Sequence, residues 1–353
     1  MNISLCMIVR NEEASLELCL KSIASLVDEV IIVDTGSTDR TKEIAYRYTD
    51  KVYDFIWVND FAAARSYSIT KASNEYILVL DSDEIVEEID MDAIRELIRR
   101  HPDKIGRLLR INEFHRKENN YKYSERVNRL FSKKLYKYEG MIHEQIIPIR
   151  ESNSTEITET YLIPLTIRHS GYEGDLESRK RKTERNITLL KMAKEQDPND
   201  PYILYQLGKS FYMEEDYWNA CEYFGQALYF DLDPRLEYVQ DMVESYGYSL
   251  INSEQYDSAL QLLNIYDEFC GSADFIFLIA LILMNSGNFV KAIEEFEKAS
   301  SFSQAKMEGV NSYLAFYNIG VIYECMGELE QAKNAYLRCS DYIPAKNRLV
   351  QIR

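Results

Sequence analysis

From Pro201 onward one apolar pattern returns four times, and no other feature of the chain restricts its fold as strongly. Leu207-Gly208 is followed by Phe211, Ala220, Phe224 and Ala227, and Tyr246-Gly247 by Leu250, Ala259 and Leu263. Ile279-Ala280 is followed by Leu283, Ala292, Phe296 and Ala299, and Ile319-Gly320 by Tyr323, Ala332 and Tyr336. The spacing within each unit is helical. The small residue falls at 208, 247, 280 and 320, intervals of 39, 33 and 40 residues. A small side chain at a fixed place lets one helix approach the next, while the larger apolar residues fill the groove between them. The segments SEQYDSA, NSGNFVKA and CMGELEQA sit where each hairpin should turn. Four stacked helical hairpins are predicted, with extensions in the two long intervals.

The first half has a different texture. Short apolar runs alternate with amphipathic stretches, as expected for strands and helices around a mostly parallel sheet. ISLCMIV (3–9), EVIIVD (29–34) and YILVLD (76–81) read as strands. Between the first two, EEASLELCLKSIASL places Leu16, Cys19, Leu20, Ile23 and Leu26 on one helical face. After Asp34, GSTDRTKEIAYRY offers Ser37 and Thr38 near a helix start. Crossovers between parallel strands are expected to be right-handed. The division predicted is an α/β domain over 1–175, a linking helix over 176–200 and an all-α domain over 201–353. The linking segment carries RKRKTER (179–185), which reads as a solvated basic helix face.

A chain of 353 residues suits two domains, each with its own core. A net charge of −17 argues against nucleic acid and anionic membranes as partners. Cys6, Cys19, Cys221, Cys270, Cys325 and Cys339 form no CxxC pair, which suits free thiols in a reducing compartment. MNISLCMIVRNEE lacks a signal-peptide pattern, and no run of about 18 apolar residues occurs, so a soluble cytoplasmic protein is expected.

The stretch YILVLDSDEIV (76–86) ends an apolar strand with three carboxylates in four residues. Such a cluster is costly alone and stable beside a divalent cation. The spacing of Asp81 and Asp83 lets both converge on one ion across a tight turn, with a diphosphate supplying further oxygens. An acidic protein also carries such triplets on solvated loops. Asp34 ends another apolar strand and precedes TGSTD, where it could serve a base or ribose, or simply cap a helix. Ligands of open α/β sheets bind beyond the carboxyl ends of the strands. Two acid-terminated strands therefore predict a nucleotide pocket at one sheet edge.

The series CMIVRNEE, DEVIIVDTGSTDRT, NDFAAARSYS, EYILVLDSDE and RLFSKKLYKYEGMIHEQ, covering roughly residues 3–172, resembles the family 2 glycosyltransferases. The helical units resemble the tetratricopeptide repeat, whose period is about 34 residues. The combination is similar to a bacterial subgroup that includes S-glycosyltransferases of bacteriocin (glycocin) precursor peptides. The resemblance implies an α/β GT-A (Rossmann-like) nucleotide-sugar domain followed by an all-α tetratricopeptide-repeat domain. It implies inverting, Mn2+- or Mg2+-dependent transfer from a UDP-sugar to a Cys, Ser or Thr side chain of a peptide or protein.

By the same resemblance, Val9, Asn11, Glu12, Asp34, Gly36, Ser37, Asp60, Arg65, Asp81, Ser82 and Arg129 would bind the donor. Asp81 and Asp83 would flank the metal, with His169 favoured over His143 as third ligand. Asp83, His143 and Glu144 would be catalytic, with Glu113 and Glu125 as further candidates for a general base. No clean base motif is found, which a thiol acceptor tolerates because a free thiol is already partly ionised near neutral pH. His101, beside Pro102, reads as a loop residue, and His115 carries no role. The repeats suit an extended acceptor, and their 27-tyrosine-rich chain also suits a homodimer interface. Competing readings are transfer to a cell-envelope saccharide and a non-catalytic nucleotide-sugar-binding adaptor. A nucleotidyltransferase would carry a glycine-rich loop with a lysine, which MIVRNEE lacks.

Overall fold

The computed structural model describes residues 1–116, 119–149, 158–169 and 176–352. Two compact units divide the chain, Met1–Arg179 and Lys180–Arg353.

The first unit runs β1 (Ile3–Val9), α1 (Leu16–Ile23), β2 (Glu29–Asp34), α2 (Thr41–Ala45), β3 (Val52–Asp54), α3 (Phe61–Lys71) and β4 (Tyr76–Val79). It continues with β5 (Glu84–Ile89), α4 (Met91–Arg100), β6 (Ile105–Arg116), β7 (Asn119–Ser132), β8 (Tyr136–Glu139), β9 (Gln145–Pro148) and β10 (Thr160–His169). Eight strands form one sheet in the order β3-β2-β1-β4-β7-β6-β10-β5, and β8 pairs with β9 separately. The first four strands are parallel.

Beyond β4 the sheet becomes mixed, so the mostly parallel sheet expected holds for four of its seven pairings, three of them in the first half. β7 runs antiparallel to both β4 and β6, and β10 runs parallel to β6 but antiparallel to β5. β6 ends at Arg116 and β7 begins at Asn119, a separation that only an antiparallel pair can bridge.

β1 and β2 are buried along their lengths because helices cover both faces of the parallel half. Leu5, Met7 and Ile32 join one core with the buried face of α1, while Cys6, Ile31 and Val33 join the other with Ala62 of α3. Leu16, Cys19, Leu20 and Ile23 are buried as their spacing predicts, but Leu26 lies past the helix and is exposed. α2 starts at Thr41, later than Ser37 and Thr38 suggested. Asp39 accepts from the Thr41 N–H (3.0 Å) and hydroxyl (2.6 Å), while Ser37 and Thr38 are tied to Asn11. β4 ends at Val79, which leaves Asp81 in the turn beyond the strand rather than on it.

A helix α5 (Leu176–Gln196) precedes the repeats. The repeats then pair α6 (Pro201–Met213) with α7 (Tyr217–Ala227), and α8 (Glu237–Asn252) with α9 (Tyr256–Leu260) and α10 (Tyr266–Phe269), the last two joined by a 3-10 turn. They go on to α11 (Ala273–Asn285) with α12 (Phe289–Ser300), α13 (Tyr313–Cys325) with α14 (Leu329–Leu337), and a last helix α15 (Ile343–Gln351). Asp200 caps α6 by accepting from the Tyr202 N–H, ahead of a proline in the first turn, where its missing donor costs nothing.

The small residues of the repeat explain themselves. A Cβ on Gly208 would stand 2.6 Å from the Phe224 ring, one on Gly247 2.6 Å from Leu278, and one on Gly320 2.4 Å from the Tyr336 ring. The two long intervals place their extra residues between hairpins, at 228–236 and 301–312, whereas 270–272 suffices between α10 and α11. The second extension is fastened down. Asp274 accepts from the backbone N–H groups of Lys306 and Met307 (2.8 Å each), and Lys306 pairs with Glu244 (2.8 Å). All six cysteines are free thiols. Among the described residues no helix is long and apolar enough to cross a membrane.

Gly320→Ala is expected to cost about 1–3 kcal/mol through overpacking against Tyr336, read as a lower urea midpoint by circular dichroism. Gly271→Ala, with open space around it, is expected to leave the midpoint nearly unchanged. Burial pushes the Glu244 carboxyl up to about 7, even against the pull of Lys306. The folded chain thus holds that proton more tightly than the unfolded chain, so this group's contribution to stability falls as pH rises from about 4.5 to about 7. Urea midpoints at pH 5 and pH 8 are expected to show this decline, and Glu244→Gln to flatten it.

Candidate active site

Because β2, β1 and β4 are parallel, the residues that end them emerge at one edge of the sheet. Val9 and Asp34 are cross-strand partners there, and Asp81 follows β4 on the same edge. Asp34 is 2% exposed. Its Oδ1 accepts from the N–H groups of Gly36 (3.0 Å) and Ser37 (2.9 Å), while its Oδ2 has no hydrogen-bond partner among the described residues. Gly36 holds φ +106°, a conformation that favours glycine.

The loops after β1 and β2 are laced together at the same edge. Asn11 Oδ1 accepts from the Thr38 N–H (2.8 Å), the Asn11 N–H donates to Ser37 Oγ (2.9 Å), and the Glu12 N–H donates to Thr41 Oγ1 (2.7 Å). Asn11 itself has φ 54°, which asparagine tolerates better than most residues. A buried carboxylate oxygen left unsatisfied is costly, so Asp34 Oδ2 is where a hydroxyl or N–H donor would gain most.

The three acids after β4 are compensated by side chains remote in sequence. Asp81 Oδ1 accepts from Arg65 Nη2 (2.8 Å) and Oδ2 from Arg129 Nη2 (2.8 Å). Arg65 also donates through Nε to Glu144. Arg129 Nη2 reaches Glu84 Oε1 (2.6 Å), and Arg110 reaches Glu84 (3.3 Å) and Glu125 (2.9 Å). Asn112 Nδ2 donates to Glu125 (2.7 Å), and its Oδ1 lies 2.8 Å from His169 Nδ1. His169 Nε2 lies 3.5 Å from Asp83 Oδ2, so the chain of contacts returns to the turn where it began. Burial works against the charge on Asp81, but Arg65 and Arg129 outweigh it and hold the carboxyl well below the usual range.

Strand register builds this ring. Arg110 faces Glu125 across β6 and β7, and His169 faces Asn112 on one side and Glu84 on the other. Gly106 pairs with Leu130 but Arg107 with Asn128, so β7 carries Arg129 as an extra residue at a bulge. Bulges re-aim side chains, and this one turns Arg129 toward Asp81 and Glu84.

The remaining expected residues take varied places. Asp60 caps α3 by accepting from the Ala63 N–H (2.8 Å). Ser82 is buried in the acidic turn. Glu144 is nearly buried against Arg65, in a loop joined to α3 by the Phe61 N–H to Met141 carbonyl bond (2.8 Å). His143 has φ 50° in that loop. Glu113 pairs with Lys122 (3.0 Å) further along the β6–β7 ribbon, and Glu125 is taken up by Arg110 and Asn112. His101 packs against Tyr161, and the side chain of His115 lies outside the described residues.

Glu84, Arg110, Asn112 and Tyr138 were not singled out from the sequence. The period-two spacing of Arg110 and Asn112 on β6 was the available signal. Tyr138 lies under the Arg65 guanidinium, 5.5 Å from ring centre to Cζ, and burial pushes its hydroxyl up to about 12.

Among the described residues no three His, Cys, Asp or Glu side chains come together as a metal-binding group. The pair Asp83 and His169 nevertheless suits a cation. Because Asn112 Nδ2 donates to Glu125, its Oδ1 faces the His169 ring, which places a proton on Nδ1 and turns Nε2 toward Asp83. Metal-binding histidines are held in this way.

Arg129→Met removes a buried cation from between two acids and is expected to cost about 3–5 kcal/mol, read as a lower urea midpoint. Glu113→Ala breaks only a more exposed pair and is expected to cost less than about 1 kcal/mol.

Comparison with known proteins agrees with this arrangement. Residues 4–149 match the family model described as glycosyl transferase family 2, and residues 273–305 and 313–346 match a tetratricopeptide repeat model. A tetratricopeptide-repeat-containing protein of Synechococcus elongatus is 31% identical over 231 residues, covering 64% of this chain and 56% of that protein. The SPbeta prophage-derived glycosyltransferase SunS of Bacillus subtilis is 26% identical over 233 residues, covering 63% of this chain and 52% of SunS. The matched region thus spans about half the length of these relatives. Among solved structures, YrrB, a tetratricopeptide-repeat protein, aligns with a TM-score of 0.41 at 22% identity over 50% of this chain and 86% of that one. The N-terminal unit of the chain thus carries a glycosyl transferase family 2 match over residues 4–149, and the unit that follows it carries tetratricopeptide repeats.

Proposed function

We propose that the chain is a glycosyltransferase that moves a sugar from a UDP-sugar to a cysteine, serine or threonine side chain of a peptide or protein. The observation that carries this reading is the pairing, on one sheet edge, of a buried Asp34 oxygen with spare capacity and the arginine-braced acidic turn of Asp81 and Asp83. The family 2 match and the likeness to SunS support transfer chemistry, and the repeats support a polypeptide acceptor.

In this reading Asp34 Oδ2 accepts from the base or ribose, with Val9, Asn11, Glu12, Gly36 and Ser37 shaping the pocket wall. Arg65 Nη1 and Arg129 Nε have no partner among the described residues and supply donors and positive charge near the diphosphate. Asp83 and His169 would hold Mn2+ or Mg2+, whereas Asp81, expected from the sequence to flank the same cation, has both oxygens engaged by the two arginines. When bound, that cation acts as a Lewis acid for the departing nucleotide. Glu144 and His143 face the acceptor, with Glu144 as the candidate base for a hydroxyl. A bacteriocin-type precursor is the acceptor class favoured by the SunS likeness.

The test is UDP release from a panel of UDP-sugars with Mn2+ or Mg2+. Wild type is expected to release UDP from at least one donor. Asp83→Ala is expected to lose about 100-fold or more, in line with removal of a metal ligand or its support. Asp34→Asn is expected to raise the donor KM more than it lowers kcat, because its contact is made equally in ground and transition states. Donor binding without release would favour a binding adaptor, and transfer only to saccharide acceptors would favour an envelope enzyme.

A further inference from the structure

We propose that Glu84 is a positioning residue of the donor site, an inference that rests on the donor-site reading above. Glu84 is fully buried, and its two oxygens hold different things. Oε2 accepts from the Asp81 backbone N–H (2.9 Å), while the Glu84 N–H donates to the Asp81 carbonyl (3.1 Å). The turn that presents Asp83 is therefore closed from both sides by one residue. Oε1 accepts from Arg129 (2.6 Å) and Arg110 (3.3 Å), and Arg129 in turn holds Asp81 Oδ2. On the neighbouring strand, His169 is the cross-strand partner of Glu84.

One carboxylate thus touches the backbone of the acidic turn and the guanidinium that neutralises Asp81, and the residue that carries it is paired across the sheet with His169, which lies beside Asp83. A fully buried charge persists only when it is paired and hydrogen-bonded. Every group facing Glu84 here is a donor, so its acceptor-only chemistry cannot be shared with an amide. Glutamine has the same shape but must turn an NH2 group toward the Asp81 N–H or toward the two guanidinium groups. The backbone turn and Arg129 then cannot both keep their partner, and Asp83 and His169 lose their common alignment.

The experiment is calorimetric titration of UDP into the full chain at a series of MnCl2 concentrations, with thermal unfolding measured in parallel. Glu84→Gln is expected to weaken UDP binding and to raise the half-saturating Mn2+ concentration, each by roughly 10- to 100-fold. A merely structural role would lower the unfolding temperature without moving the Mn2+ requirement of the folded protein. Arg110→Gln removes the longer of the two guanidinium contacts to Glu84 together with the Arg110 contact to Glu125, which keeps its Asn112 donor, and leaves both arginines of Asp81 in place. It is expected to fold normally and raise the Mn2+ requirement by roughly threefold or more, which keeps the test valid if Glu84→Gln does not fold. Wild-type UDP binding with an unchanged Mn2+ requirement in the folded variants would overturn the role of Glu84 and leave the donor site standing. No UDP binding by wild type would overturn the donor site and this inference together.

Discussion

The Asp81 carboxylate, gripped on one oxygen by Arg65 and on the other by Arg129, is the contact on which the arrangement of the N-terminal unit turns. Carboxylates crowded at the end of a strand repel one another, and nothing nearby in sequence offsets that repulsion. The offset comes from Arg65 on α3 and Arg129 on β7, whose side chains are buried beside the partly exposed acid they serve. Once Arg65 and Arg129 are fixed there, Glu144 and Glu84 follow as their counter-ions, and Arg110 joins Glu84 to Glu125. Removing one member leaves a buried charge uncompensated, which is why such rings hold their geometry closely.

The repeat unit rests on a different constraint. Its glycines stand where aromatic or leucine side chains of the facing helix press against the backbone, so the packing distance between helices is set by the absence of a Cβ. The extra residues of the long intervals are absorbed between hairpins and leave the hairpins themselves intact. The Asp274, Lys306 and Glu244 contacts show how the longer of these segments is held against α8 and α11.

Much of this was legible in the sequence. The apolar runs of β1 and β2, the buried face of α1 and the small residues of the repeats are local patterns with a single period, and they emerge as read. The acid positions at the sheet edge were legible for the same reason, since a strand end can be read from where its apolar run stops. The reversal of the sheet beyond β4 was not, because strand direction depends on how far apart two strands lie along the chain and on which edge is still open. The partners of Asp81 were also hidden as a set. They lie 16 and 48 residues away, and Arg129 reaches its place only through a bulge that no local pattern announces. Glu84 read as one more acid of the cluster, although its contacts make it the residue that faces inward.

The account holds that a diphosphate and its cation sit between the Asp34 pocket and the Asp83–His169 pair. The most direct measurement is a crystal structure of the chain with UDP and Mn2+, with anomalous scattering used to locate the metal. An anomalous peak within bonding distance of Asp83 and His169, with the uridine end against Asp34, is the result this account predicts. UDP bound elsewhere, or manganese held by other side chains, would contradict it.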